Sequence, residues 1–232
     1  CVWYRISFNY YIYNITKLLM IVIIPARLES TRLPFKMLLE VDGKPLIKKV
    51  TDDIRSLGYK TFVATDNDKI AKAVGLGVIK TDHYPNGTLR AMAAAKTLGE
   101  DKFILVQGDC LGVSKETLDR IQDKMQQVSW DAVTCVTKFK NESDRKLKSK
   151  VKSIHDGNRI IWNTRHNLEY CDHHVGVYGF NNMEIGKKCV GDTFEDLEHN
   201  EWIMKGFKVG CVEIDDPIID INTKDDYKKL TL

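Results

Sequence analysis

The sequence predicts an α/β protein built on a doubly wound, mostly parallel sheet. Three observations carry that prediction. The runs Met20–Pro25 (MIVIIP) and Phe103–Gln107 (FILVQ) are apolar along their length, as strands buried on both faces must be. Amphipathic stretches alternate with short strand-like ones. The helical stretches close on glycines, Gly58 and Gly99, where a helix can end in a left-handed turn.

In chain order, Met20–Pro25 is the first strand. Leu46–Leu57 is a helix, Thr61–Thr65 a strand, Asp68–Val74 a helix and Gly77–Thr81 a strand. Thr88–Leu98 is a helix and Phe103–Gln107 a strand. Ser114 then caps a helix that runs to about Gln127. The second half is less regular. Asp131–Phe139, Val151–His155, Arg159–Thr164 and His174–Phe180 read as strands, Phe194–Lys205 as a helix and Lys208–Ile214 as a strand. Thr223–Leu230 is a closing helix, capped by Asn222 or Thr223. Lys138–Lys152 holds seven Lys/Arg against two acids and reads as a solvated hairpin loop, with no interleaved aromatic platform for nucleic acid.

The chain has 232 residues, 43% hydrophobic and 29% charged, with a net charge of +3. That is one large domain or two small ones with a sizeable core. Disorder, collagen and coiled coil are excluded as the main state. No uncharged apolar run reaches the roughly 18 residues that a membrane span requires, and the charge is too small to imply nucleic acid or an anionic membrane. Residues 1–19 carry Arg5 and Lys17, no acid and six aromatics. They read as an upstream extension, with the natural start at Met20 and one domain over residues 20–232. The six cysteines are scattered singly, with no C-x-x-C pair, so they read as reduced thiols in a cytoplasmic protein. Cys171 and His173 are spaced to share a strand face, too few groups for a metal site.

Ligands of such sheets sit beyond the carboxyl ends of the strands, so residues after each strand are the first suspects. The stretch after the first strand places Arg27, Arg32 and Lys36 on a surface loop, cations suited to a triphosphate. Neither a P-loop nor a dinucleotide fingerprint is present. Gln107-Gly108-Asp109 puts a carboxylate on a turn at a strand end, well placed for a hard cation. Asp220 and Asn222 are two apart in an extended stretch, so their side chains can face one point.

In order, IPARLESTRLPFK, GKPLI, ATD, TDHYPNGTLR, QGD, HHVGVYGF, LE and DINTKDDYKKL resemble the 3-deoxy-manno-octulosonate cytidylyltransferase family from Met20 to the C-terminus. The resemblance implies a nucleotide-diphospho-sugar transferase-like fold with a mixed sugar-binding and dimerisation subregion. It divides the domain into a nucleotide half (about 20–128), a sugar and dimer region (about 129–206) and a closing segment (207–232). It implies coupling of CTP to an acidic sugar, release of pyrophosphate, magnesium as cofactor and a homodimer, with no nucleic acid or membrane partner. Pro25, Ala26, Arg27, Ser30, Thr31, Arg32, Lys36, Asp66, Gly87, Thr88, Arg90 and Gln107 are the implied nucleotide contacts. Arg27, Lys36 and Asp109 are the implied catalytic residues; Asp109, Asp220 and Asn222 are the implied metal ligands. Arg165, His174, Tyr178 and Glu198 are the implied sugar contacts, Arg165 pairing with the sugar carboxylate. The chain departs from the family pattern at Phe35 (glycine), Asn86 (serine), Cys110-Leu111 (Glu-Pro) and Asn222 (aspartate), and is shorter between Arg165 and His173. Another acidic sugar, such as a sialic acid, or a catalytically silent nucleotide-binding homologue are the alternatives.

Overall fold

The structure, a computed structural model, describes residues 20–30, 32–127, 129–189, 195, 197–216 and 218–231. The first half runs β1 (Ile21–Pro25), a 3-10 turn over Lys36–Leu38, β2 (Glu40–Val41), β3 (Lys44–Pro45), α1 (Leu46–Ser56) and β4 (Lys60–Thr65). It continues with α2 (Asp68–Val74), β5 (Val78–Lys80), α3 (Gly87–Leu98), β6 (Phe103–Val106), β7 (Cys110–Leu111) and α4 (Lys115–Met125). The second half adds β8 (Ala132–Thr137), α5 (Glu142–Arg145), β9 (Lys152–His155), β10 (Ile160–Thr164) and β11 (Asp172–Phe180). It ends with α6 (Glu184–Lys188), α7 (Glu198–Met204), β12 (Val209–Glu213), β13 (Ile219–Asp220) and α8 (Lys224–Thr231).

One mixed nine-stranded sheet carries the order β10-β9-β11-β6-β1-β4-β5, with β8 joining β11 to β12. Strands β6, β1, β4 and β5 are parallel, as the buried apolar runs require. The long antiparallel strand β11 joins this half to the second, pairing with β6, β8 and β9. β1 is buried at every residue because both its faces are covered. Val22 and Ile24 pack with Leu46, Ile47, Val50 and Ile54 of α1 and with Leu118 and Ile121 of α4. Ile21 and Ile23 pack on the other side with Ala91, Met92 and Ala95 of α3 and with Trp202 of α7. Each such side chain taken fully out of water contributes about 1.5–3 kcal/mol.

Caps follow the residue chemistry. Asn67, Asn86 and Ser114 each accept a main-chain N–H from the first turn of α2, α3 and α4. Thr223, not Asn222, caps α8. Its hydroxyl accepts from Asp226 N at 3.2 Å, and the Asp226 carboxylate accepts from the N–H groups of Asn222 and Thr223. Asp42 and Gly43, both at positive φ, turn the small β2–β3 hairpin.

Three expectations change. The basic stretch 138–152 is not a loop solvated throughout: it contains α5 and ends in Lys152, which has no exposed surface. The ammonium is satisfied by main-chain carbonyls instead of water. Cys171 lies before β11 and donates to Leu168 O, so it shares no strand face with His173. The helix expected from Phe194 is described only as α7, from Glu198. The extension 1–19 and Thr31 lie outside the described residues. Among those described, no helix is long and apolar enough to cross a membrane.

Candidate active site

The chain leaves β1 with one more sheet bond, Ala26 N–H to Ala64 O at 2.9 Å, and then turns out over the carboxyl edge. Arg27 and Arg32 are exposed there. Lys36 is not on the surface: it is 8% exposed and ion-paired with Asp109. A charge so placed requires a partner, and the glycine turn after β6 brings one. Phe35, which precedes it, sits at φ 56°, a left-handed conformation that costs a side-chain-bearing residue energy. Leu28, Glu29, Ser30, Pro34 and Phe35 line a shallow hollow in this loop.

The N-terminus of α3 is the second component. A Cβ on Gly87 would stand 3.3 Å from Pro25 Cγ and 3.5 Å from the Gln107 amide. Glycine at this position therefore lets the helix start close against the ends of β1 and β6. Asn86, in the serine position, caps the helix through Leu89 N at 2.9 Å. Thr88, through its main chain and its hydroxyl, favours the charged form of Glu198. Arg90 is 1% exposed and faces inward. It donates to Asp66 Oδ2 at 2.8 Å and Thr81 Oγ1 at 2.9 Å, holding the Asp66 carboxyl below its ordinary range against the opposing effect of burial. Asp66 and Arg90 thus brace the loop after β4 instead of presenting two free charges.

The third component is a carboxylate corner. β7 and β13 pair antiparallel with Cys110 opposite Asp220, and Ile221 N–H donates to Asp109 O at 3.2 Å. The segment near the C-terminus is thereby fastened beside Gln107-Gly108-Asp109. Cys110 Sγ donates to Asp220 Oδ1 at 3.0 Å, and His173 Nε2 lies 3.6 Å from Oδ2. Gly176 makes room: a Cβ there would meet Gln107 Cγ at 2.7 Å and Cys110 Sγ at 2.9 Å. Burial, then the Asp109 charge, pushes the Asp220 carboxyl above its ordinary range.

Two hard oxygen donors from separate segments, one of them a buried carboxyl short of positive charge, suit magnesium. That ion is held by one or two carboxylates plus substrate phosphates. Among the described residues no group of three or more His, Cys, Asp and Glu side chains is arranged to hold a metal unaided. The Asn222 amide oxygen accepts from Arg32 Nη2 at 3.0 Å, so it anchors a cation of the opening loop.

The fourth component lies on β11 and α7. His174 and His199 stand with ring centres 4.4 Å apart, both beside Tyr178, with His199 edge-on to Trp202. His174 Nε2 lies 3.0 Å from Thr134 Oγ1 and His199 Nδ1 3.2 Å from Asn163 Nδ2. Burial keeps all three imidazoles here neutral: His173 and His199 are pushed down to about 3, and His174 goes well below its ordinary value. Burial, then the charges of Glu198, Cys110, Asp220 and Asp109, holds the Tyr178 phenol protonated. Tyr178 is thus within electrostatic reach of both the carboxylate corner and Glu198. Burial pushes Glu198 up to about 7, although Thr88 and the Arg27 charge oppose it, and its Oε2 is buried without a partner. Arg165, after β10, donates from Nε to Glu195 O at 3.0 Å and from Nη1 to Lys148 O at 3.2 Å.

Tertiary folding therefore gathers Pro25, Gly87, Thr88, Gln107, Asp109, Lys36 and Asp220 on one edge, with Glu198 and Tyr178 within electrostatic reach of it. Sequence reasoning missed His199 and Lys152. His199 follows the Leu-Glu pair in an otherwise ordinary helix, and nothing in its own pattern marks it. Lys152 lies in a lysine-rich run in which one inward side chain looks like its neighbours.

Exposed cations beside a glycine-opened helix terminus and a pair of carboxylates, at the carboxyl edge of parallel strands, define a nucleotide-handling α/β protein of the nucleotidyltransferase class. Residues 21–211 match the model of a family described as cytidylyltransferase. The chain belongs to the cytidylyltransferase family. It is 30% identical over 226 residues to a 3-deoxy-manno-octulosonate cytidylyltransferase from Rickettsia massiliae, covering 90% of this chain and 92% of the relative. The same enzyme from Rickettsia typhi is also 30% identical, over 90% of this chain and 94% of its own length. Among solved structures, a CMP:2-keto-3-deoxy-manno-octonic acid synthetase complexed with CTP superposes with a TM-score of 0.78 at 22% identity, over 91% of this chain and 96% of the other. An inositol-1-phosphate CTP transferase from T. maritima gives a TM-score of 0.69 at 15% identity, over 90% and 94%.

Proposed function

We propose that this chain couples CTP to 3-deoxy-manno-octulosonate, yielding the CMP-sugar and pyrophosphate. The observation that carries the reading is near-full-length relatedness to enzymes named for that reaction, together with a carboxyl edge that gathers the groups the chemistry requires. An acidic sugar hydroxyl attacks the α-phosphorus of CTP in line, and pyrophosphate departs. Such transfers are driven by positioning and charge neutralisation. Arg27, Arg32 and Ser30 face the triphosphate from the opening loop, and Gly87 and Thr88 offer the N-terminus of α3 to it. Lys36 holds Asp109 in place, and Asn222 aims Arg32. Asp66 and Arg90 shape the nucleotide side of the loop after β4. Asp109 and Asp220 hold magnesium; when bound, that ion neutralises phosphate charge and favours ionisation of the attacking hydroxyl. Arg165 pairs with the sugar carboxylate, and His174, Tyr178 and Glu198 face the sugar hydroxyls. The working form is a homodimer in the cytoplasm.

Pyrophosphate release with each of CTP, ATP, GTP and UTP, against 3-deoxy-manno-octulosonate, a sialic acid and a neutral sugar, tests this reading. Turnover is expected with CTP and 3-deoxy-manno-octulosonate, and only with magnesium present. The short stretch 166–172 favours a second reading, another acidic sugar; turnover with the sialic acid alone would establish it. No release with any pair refutes both readings.

A further inference from the structure

Lys152 opens β9 and is fully buried. Its Nζ donates to three main-chain carbonyls: Leu147 O at 2.6 Å, Lys150 O at 2.8 Å and Arg165 O at 3.2 Å. The first two belong to the turn that leads into β9. The third belongs to the residue that leaves β10. β9 and β10 pair with Lys152 opposite Thr164, so the ammonium lies beside the point where the Arg165 loop begins.

Arg165 is held from the other side as well. Its main-chain N–H donates to the Glu195 carboxylate and its Nε to Glu195 O, while Nη1 reaches Lys148 O in the same turn that Lys152 ties down. The guanidinium is therefore tied to Lys152 twice, through its own carbonyl and through the turn that receives Nη1. Two cations are kept close together here. Burial lowers the Lys152 ammonium below its ordinary value and the Arg165 charge lowers it further, against the opposing effects of Cys171 and Glu195. A neutral side chain would fill the space without that cost.

We infer that Lys152 is a positioning residue for the acidic end of the sugar: with no surface to offer a substrate, it acts by fixing the Arg165 loop against the 147–150 turn, which sets the position of the guanidinium. The inference rests on Arg165 being the partner of the sugar carboxylate.

A double-mutant cycle tests it. Lys152→Met, Arg165→Ala and the double variant are assayed by pyrophosphate release, with KM for 3-deoxy-manno-octulosonate, KM for CTP and kcat measured separately. Thermal melts followed by circular dichroism check the fold. Lys152→Met is expected to raise the sugar KM roughly ten- to hundredfold, the scale of losing one charge-assisted hydrogen bond to the sugar carboxylate. KM for CTP and kcat should stay within about twofold, as loss of uniform sugar binding requires. In the Arg165→Ala background the same change should add less than about twofold, because there is no guanidinium left to position. An equal factor in both backgrounds, or CTP KM and kcat moving together with the sugar KM, overturns the inference and leaves Lys152 a general structural residue. Arg165→Ala raising the sugar KM while Lys152→Met does not overturns the inference alone. Arg165→Ala leaving the sugar KM unchanged overturns the reading of Arg165, and the route through it with it. If Lys152→Met does not fold, Lys152→Gln, which keeps N–H donors without charge, takes its place in the same cycle.

Discussion

Glu198 gives a sharp test because it is a buried carboxyl with Thr88 at the start of α3 and Tyr178 on β11 in electrostatic reach. Burial raises its carboxyl to about 7 from an ordinary 4.5. The folded state therefore holds this proton over a range in which the unfolded chain has released it. Stability rises with pH only where the unfolded state binds more protons, so here the sign is reversed. The contribution is fully present below about 4.5, declines as pH rises, and is lost above about 7. Integrating the two titrations between pH 5 and 8 gives about 2.5 kcal/mol as the full effect. Partial access of solvent to the residue reduces that to about 1–2 kcal/mol. The perturbation is Glu198→Gln, which keeps the shape and removes the titration. Absolute stability is a poor readout, because an amide N–H at the unpartnered Oε2 position would itself be unsatisfied. The pH dependence of the difference between variant and parent is the right quantity. Urea unfolding at pH 5 and pH 8 should show the variant gaining about 1–2 kcal/mol on the parent between the two. The neutral histidines His173, His174 and His199 destabilise both proteins equally at acid pH and cancel in the difference. Parallel pH profiles would refute the claim that Glu198 is held buried against its charge.

Further outcomes follow from the same geometry. Lys36→Ala should cost about 2–4 kcal/mol of stability, since it strands the Asp109 carboxylate in a mostly buried corner; urea midpoints, alongside pyrophosphate release at limiting CTP, check it, and full retention of both sinks the pairing. Asp220→Asn should weaken magnesium binding and turnover, while Asn222→Asp, which faces Arg32, should be tolerated. Magnesium titrations by calorimetry and by pyrophosphate release distinguish them, and the reverse ranking would move the second metal contact elsewhere. Phe35→Gly should stabilise by up to about 1.5 kcal/mol, from relief of about 1–2 kcal/mol of left-handed strain less about 0.5–1 kcal/mol of added chain entropy. Unfolding at lower urea than the parent would show that the exposed ring contributes more than its backbone costs.

Much of this was legible in the chain. Apolar runs such as MIVIIP and FILV are strands because only a sheet covered on both faces can hide them, while α1 and α3 announced themselves through closing glycines and α4 through its cap. These are local properties, so a linear pattern encodes them. The positions of Arg27, Arg32 and Asp109 after strands were likewise readable, because the topology of such sheets sends ligands to that edge. The fate of each charge was not. Whether a lysine is solvated, as the run 138–152 suggested, or buried against three carbonyls, as Lys152 is, depends on which segments meet it in space. Lys36 and Asp109 are 73 residues apart, and Arg32 and Asn222 are 190 apart. Cys110 meets Asp220 only because β7 pairs with β13. Burial and partners set the charge and aim of a side chain, and both arise from contacts between segments remote in the chain. The sequence by itself determined the elements, the family and the edge at which chemistry occurs. Tertiary structure alone decided which of its charges are held inward to position the others.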